Sequence, residues 1–233
     1  MKPETRPKRL KVGKMDTYAK SKINKIRLSK RAEYDRQTVH QIVDDGLVAH
    51  VGFVDHDWPM VIPMIYARID ETLYLHGAKG ARFAKTMGKG IPVCITITHL
   101  DGLVLARSAF HSSVNYRSVI VHGHATLVTD TDEKTRALTL VTDRIAPGRW
   151  DEAREMNEKE LKSTGVIAVP IEYAAAKIRT GGPVDDDEDY DLPIWGGVVP
   201  VRQVLDPPED DGRLAPGTEL PLSIKKVLAR NSG

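Results

Sequence analysis

The groups best able to do chemistry are concentrated in one run, DGLVLARSAFHSSVNYRSVIVHG, from Asp101 to Gly123. Two apolar, strand-like pieces, Leu103 to Arg107 and Val119 to Val121, enclose His111, Ser112, Ser113, Asn115, Tyr116, Arg117 and Ser118. A plain connecting turn would favour Gly, Pro and Asp. An imidazole, a phenol, a guanidinium and several hydroxyls can instead hydrogen-bond a polar heteroaromatic ligand and its anionic tail. The same groups also suit a polar hairpin whose hydroxyls satisfy their own backbone, and the cluster alone leaves both readings open.

A second constellation is LYLHGAKGARFAK, Leu73 to Lys85. A strand ends, glycines permit close backbone approach, and a helix begins with cations in its first turns. Helix N-termini offer free amides and positive potential, so this arrangement suits a phosphate, with Lys79 and Arg82 spaced to converge on one anion. It matches neither a Walker A loop nor a dinucleotide fingerprint. Solvated cations on a helix face are the plainer reading. A third is VIPMIYARID, Val61 to Asp70. Pro63 has no amide donor, which places it on an edge or at a kink, where unpaired backbone could bond a ligand. A simple edge strand accounts for it equally well. The eight histidines form no zinc pattern, although His122 and His124 share one strand face. The acidic run Asp185 to Asp191 reads as a solvated loop.

The elements that must position these groups follow from periodicity and punctuation. Arg31 to Asp45 reads as a helix stopped by Gly46, and Asp132 to Ile145 as another with Thr131 as N-cap. Gly77 to Gly90 and Glu152 to Lys162 hold further helices. Seven strands are expected: Leu47–Val54, Met60–Ile69, Leu73–His76, Ile91–Thr98, Leu103–Arg107, Ser118–Val128 and Gly165–Ile171. The rest is irregular, apart from a short apolar piece at Gly197 to Val201 and a docking element at Leu220 to Leu228. Strands so closely spaced and joined by short turns predict a mainly β fold with flanking helices, an antiparallel sheet curled into a barrel.

Composition sets the class. The 233 residues suffice for one full domain, and 41% apolar with 28% charged content is ordinary for a globular protein. No stretch nears the ~18 uncharged apolar residues of a membrane span, and no secretory signal is visible. Cys94 is the only cysteine, so no intrachain disulfide forms and a cytoplasmic location is expected. Its strand, PVCITIT, predicts a buried, inert thiol. Residues 1 to 31 carry 12 Lys or Arg against Glu4 and Asp16, leaving a body with 22 basic and 30 acidic residues. The expected organisation is a basic arm over 1–26, one domain over 27–205 and a loose tail over 206–233. The arm has one aromatic, Tyr18, and no nucleic-acid module, so a solvated or folded-back arm is favoured over nucleic-acid binding.

Together the segments resemble the pyridoxamine 5'-phosphate oxidase-like superfamily of FMN-binding split β-barrels, within it the nitroimidazole-resistance (Nim-like) flavin-nucleotide-binding proteins. The matching pieces are RAEYDR, HVGF, VIPM, LYLHG, PVCITIT, DGLVLARSAFHSSVNYRSV, PGRW and KIRTGGPVDDDEDYDLPIWGGVVP, over about residues 27 to 205. The resemblance implies a homodimer with FMN at the subunit seam. It places the flavin ring edge along Val61, Ile62, Pro63 and Met64, and the phosphate at His76, Gly77 and Arg82, with Lys79 in support. Asn115, Tyr116, Arg117 and Ser118 add contacts, and Trp195 reaches across from the partner. Where relatives show serines in the phosphate turn, this chain has Ala78 and Ala81. The implied activity is that of an FMN-dependent oxidoreductase or reductase acting on a small molecule, with NADH or NADPH a candidate electron donor; no residue stands out as an essential acid or base, and His111 and Tyr116 are the candidates for protonating a reduced substrate. The alternatives are a non-catalytic flavin carrier or sensor, and a haem or deazaflavin protein of the same fold, for which His50, His111 and His122 are available as haem ligands.

Overall fold

The computed structural model describes residues 16–229. Nine strands form one antiparallel sheet: β1 (Ala32–Glu33), β2 (Val48–Asp55), β3 (Trp58–Ile69), β4 (Thr72–Ala78), β5 (Lys89–Leu105), β6 (Ser113–Leu127), β7 (Thr164–Pro170), β8 (Tyr173–Arg179) and β9 (Gly197–Pro200). The order is β1-β8-β6-β7-β4-β3-β2-β5-β9, and β5 also pairs with β6. That extra pairing closes β6-β7-β4-β3-β2-β5 into a ring, so the expected mainly β, barrel-like fold is present. The helices are α1 (Arg36–Asp45), α2 (Arg82–Met87), α3 (Thr131–Ile145), α4 (Arg149–Glu152), α5 (Glu158–Ser163) and α6 (Leu222–Ala229).

Alternation builds the barrel interior. In β2, Ala49, Val51 and Phe53 point inward and are buried, while His50 and Val54 point out. Tyr66, Leu73, Leu75, Ile95, Ile97, Val119, Val121, Ile167 and Val169 complete the same core. Met87 of α2 and Val39, Ile42 and Val43 of α1 join it. β7 is buried on both faces: Val166 and Ala168 form a second core with Tyr74, Val128, Ala137 and Leu138 beneath α3. This explains its unbroken apolar sequence, GVIAVP.

Several boundaries differ from the sequence reading. The first helix starts at Arg36, because Asp35 caps it by accepting the Thr38 amide at 2.8 Å. Asp130, not Thr131, caps α3 by accepting the Glu133 amide. The expected fourth and fifth strands are one 17-residue strand, with Asp101–Gly102 absorbed as an irregularity between Leu100 and Gly102. β8 was not expected at all: it holds Ala174, Ala175 and Ala176 where strands usually carry branched residues.

The expected arm and tail also carry structure. Residues 1–15 of the arm lie outside the described residues. Beyond them, Tyr18 is only 3% exposed, and Asn24 donates to the carbonyls of Ala19 and Ala174 at 2.9 and 3.0 Å. The segment just before residue 27 is therefore fastened to the barrel. At the other end residues 206–220 are exposed, whereas Ser223 in α6 is fully buried and its hydroxyl donates to the Glu152 carboxylate.

Candidate functional site

Cross-strand register collects polar and apolar groups in rows on the outside of the barrel. One row runs Val61, Gly52, Cys94, His122 and Tyr173 across β3, β2, β5, β6 and β8. The next runs Pro63, His50, Thr96 and Ile120. Beyond it lie Thr98, Ser118 and Lys177, then Leu100, Tyr116 and Arg179. Directly opposed residues share a face, so the strand pairing brings Val61, Pro63, Tyr116 and Ser118 onto one surface.

The first row floors a pocket of about 380 Å³ whose lining is mostly apolar, from Phe53, Val54, Pro59, Met60, Pro92 and Val93. Gly52 keeps that floor open: a Cβ there would project over the Cys94 carbonyl at 3.3 Å. His122 also lines the pocket, and its Nδ1 is buried without a hydrogen-bond partner. Burial lowers the His122 pKa, which favours the neutral imidazole. Beside it, His124 Nδ1 sits 2.9 Å from the Glu172 carboxylate, so the two histidines have different surroundings. The Cys94 thiol is half-buried on this outer face rather than in the core, and burial raises its pKa. Among the described residues no cluster of His, Cys, Asp and Glu is arranged to hold a metal ion by itself.

The other expected residues divide. Ile62 and Met64 point inward and pack on the barrel core. Asn115 is buried and donates to the Gly181 carbonyl at 3.0 Å. Arg117 reaches Asp101 at 3.1 Å and Asp45 at 2.6 Å. Tyr116 stays on the outer face, with the Lys177 ammonium 5.5 Å from its ring centre. His111 is 3.4 Å from Asp186, and Trp195 is 63% exposed.

At the strand-to-helix turn, His76 has a buried Nδ1 without a partner, and burial lowers its pKa. A Cβ on Gly77 would meet the tip of the Phe83 ring at 2.7 Å, so the glycine lets that ring of α2 lie close against β4. Arg82 Nε lies 3.6 Å from the Asp55 carboxylate, while Lys79 lines a different pocket, with Lys134. The two cations thus face different neighbours.

Two positioning groups are not visible in the local sequence pattern. Asp185, at the head of the acidic run, is buried and not solvated: it accepts the amides of Arg107 and Ser108 at 2.9 and 3.1 Å and pairs with the Arg107 guanidinium. Burial opposes its charge, yet these donors outweigh that and hold its pKa below the usual value. It latches the acidic segment onto the loop that carries His111. Arg144 donates to the carbonyls of Val43, Asp44 and Gly46 and so ties α3 to the end of α1. No local pattern announces either contact, because the partners lie far apart in sequence.

The family model for pyridoxamine 5'-phosphate oxidase matches residues 35–178. No curated protein matches the chain. Among solved structures it is similar to the flavocytochrome Anf3 from Azotobacter vinelandii, with 38% identity over 90% of this chain and 98% of that one, at a TM-score of 0.85. It is also similar to the FAD and haem binding protein from Mycobacterium smegmatis, with 32% identity over 84% of this chain and 96% of that one, at a TM-score of 0.80. A candidate 5-nitroimidazole antibiotic resistance protein from Bacteroides thetaiotaomicron shares the fold at 22% identity, covering 63% of this chain and 86% of its own, with a TM-score of 0.54. The matched span contains the whole six-strand ring, and on that basis the chain belongs to the pyridoxamine 5'-phosphate oxidase family.

Proposed function

We propose that this protein is a redox protein that binds a flavin nucleotide and a haem. The observation that carries this reading is its likeness, at 38% and 32% identity over most of the chain, to a flavocytochrome and to a protein that binds FAD and haem. The residues present fit both groups. For a haem, the pocket over Gly52 offers apolar walls, and His122 offers a neutral imidazole whose Nδ1 no protein group engages. For a flavin, the outer face offers Val61, Pro63, Tyr116 and Ser118, and the strand-to-helix turn offers Arg82 on one side or Lys79 on the other for the phosphate, with the unpartnered His76 nitrogen in the same turn. FMN is the nucleotide expected from the sequence, and FAD is the one bound by the mycobacterial relative.

Bound together, these groups would supply electron transfer, which the protein tunes through orientation, burial and charge. His122 would be the residue that holds the haem iron. The apolar lining of its pocket would exclude water. His111, steadied by Asp186, and Tyr116 would hold protons at the edge of the outer face for a small-molecule acceptor, with NADH or NADPH as the source of electrons. A second copy of the chain would cover the apolar surface around these rows, where Val61, Leu100, Leu103, Ile120, Val199 and Trp195 stand exposed. The cytoplasm, where a lone cysteine stays reduced, is the expected setting.

The test is reconstitution of the purified protein with flavin and haem, followed by spectroscopy and chromatography of the released flavin. His122→Ala should lose the Soret band and keep the flavin bands. An unchanged Soret band in that variant would remove His122 from the reading. Oxidation of NADH or NADPH in the presence of electron acceptors would separate an oxidoreductase from a flavin carrier.

A further inference from the structure

A second pocket, of about 550 Å³, lies between the end of β6, the start of α3, and α5. Lys79, Lys134 and Lys162 line it, together with Thr129, Thr131 and one carboxylate, Glu158. Glu158 is 3.3 Å from Lys162, and both side chains are largely exposed. Among the described residues, neither Lys79 nor Lys134 has a carboxylate within ion-pair distance. The acids of the first turn of α3 do not serve them: Glu133 accepts the Tyr74 hydroxyl at 2.8 Å, and Asp132 is exposed. Lys134 donates to the Leu161 carbonyl, which uses one of its three N–H bonds and none of its charge. Burial and the neighbouring Lys79 both lower the Lys134 pKa. Lys79 is exposed and Lys134 half-buried, and with no carboxylate paired to either among the described residues, an anion in the pocket they line would gain from both charges.

We infer that this pocket binds a phosphoryl group. Lysine ammonium groups act as point charges toward phosphate, and the threonine hydroxyls at the rim can donate to its remaining oxygens. A singly charged carboxylate would leave one of the two unpaired lysines uncompensated, whereas a phosphate dianion answers both. The phosphoryl group belongs either to the tail of the flavin, since Lys79 sits in the turn assigned to that phosphate, or to a separate phosphorylated ligand. Only the first source rests on the proposed function.

The test uses the full-length protein with inorganic pyrophosphate as probe, against chloride at matched ionic strength. Binding is read by calorimetry and by the thermal midpoint. The wild type should bind saturably. Lys134→Gln should bind at least tenfold more weakly, and the Lys79→Gln, Lys134→Gln double variant should not bind. Lys134→Arg keeps the charge and should stay within a few-fold of wild type. Absence of saturable binding in the wild type, or equal binding in the double variant, would overturn the inference, as would a loss in Lys134→Arg as large as in Lys134→Gln. The titration is then repeated on flavin-saturated protein. Competition identifies the flavin tail as the occupant, and undiminished binding identifies a separate phosphorylated ligand. A protein that takes up no flavin still permits the first titration, so failure of the functional proposal and failure of this site remain distinguishable.

Discussion

Removal of residues 1–24 should lower the stability of the described domain steeply, because it takes away the short stretch holding Tyr18 and Asn24. The Tyr18 ring is 3% exposed, and its hydroxyl donates to Glu71 at 2.7 Å and lies 3.0 Å from His40 Nε2. The Arg36 guanidinium sits 4.3 Å from the ring centre. Truncating a buried aromatic to alanine costs about 3–5 kcal/mol, so Tyr18→Ala should reproduce most of the deletion's effect. With a urea dependence of roughly 2–3 kcal/mol per molar, the unfolding midpoint should fall by about 1–2 M. Tyr18→Phe keeps the ring and removes only the hydroxyl. Glu71 is 44% exposed and retains Arg36 and His40, so this variant should lose only about 1 kcal/mol.

That small loss should itself depend on pH. Burial pushes the Glu71 pKa up, but the bonds from Tyr18 and Arg36 outweigh it and hold it below its ordinary 4.5. A depressed folded-state value contributes stability above the unfolded value and loses it as pH falls through the folded one. The gap between wild type and Tyr18→Phe should therefore be constant near neutrality and narrow below about pH 4.5. A urea midpoint matching wild type, in the deletion or in Tyr18→Ala, would refute the packing argument.

Three further outcomes follow from single contacts. Gly123→Ala would set a Cβ 2.0 Å from the Pro170 carbonyl oxygen, so β6 and β7 must part, and equilibrium unfolding should show a loss of about 3 kcal/mol or more. Arg144→Ala should cost about 2 kcal/mol in the same assay by stranding the carbonyls at the end of α1, and Arg144→Lys should restore only part of it. Asp185→Asn should weaken the latch on Arg107 and Ser108, and limited proteolysis should then cut between residues 106 and 112 faster than in wild type.

Fold class was legible because most barrel strands announce themselves by alternation, as Val48–Asp55 does, and because β7 reads as a continuous apolar run. β8 was not legible: three consecutive alanines are chosen for close packing beside β6, not for intrinsic strand preference. The Asp101–Gly102 pair reads as a turn signal, yet pairing with both β6 and β9 carries β5 straight through it. At the site, the run from Asn115 to Ser118 was found, but register divides it: Tyr116 and Ser118 face out while Asn115 is buried, a split that the strand's period of two imposes. Lys134 and Gly52 went unremarked because their importance lies in neighbours contributed by distant elements, a lysine across a pocket and a histidine two strands away.

The central claim is tested most directly by the visible spectrum of the purified protein after reconstitution with flavin and haem and removal of unbound material, recorded before and after reduction. The expected spectrum carries the bands of oxidised flavin together with a Soret band, the flavin bands bleaching and the Soret band shifting on reduction. A protein that retains only one of the two chromophores, or neither, would contradict the reading.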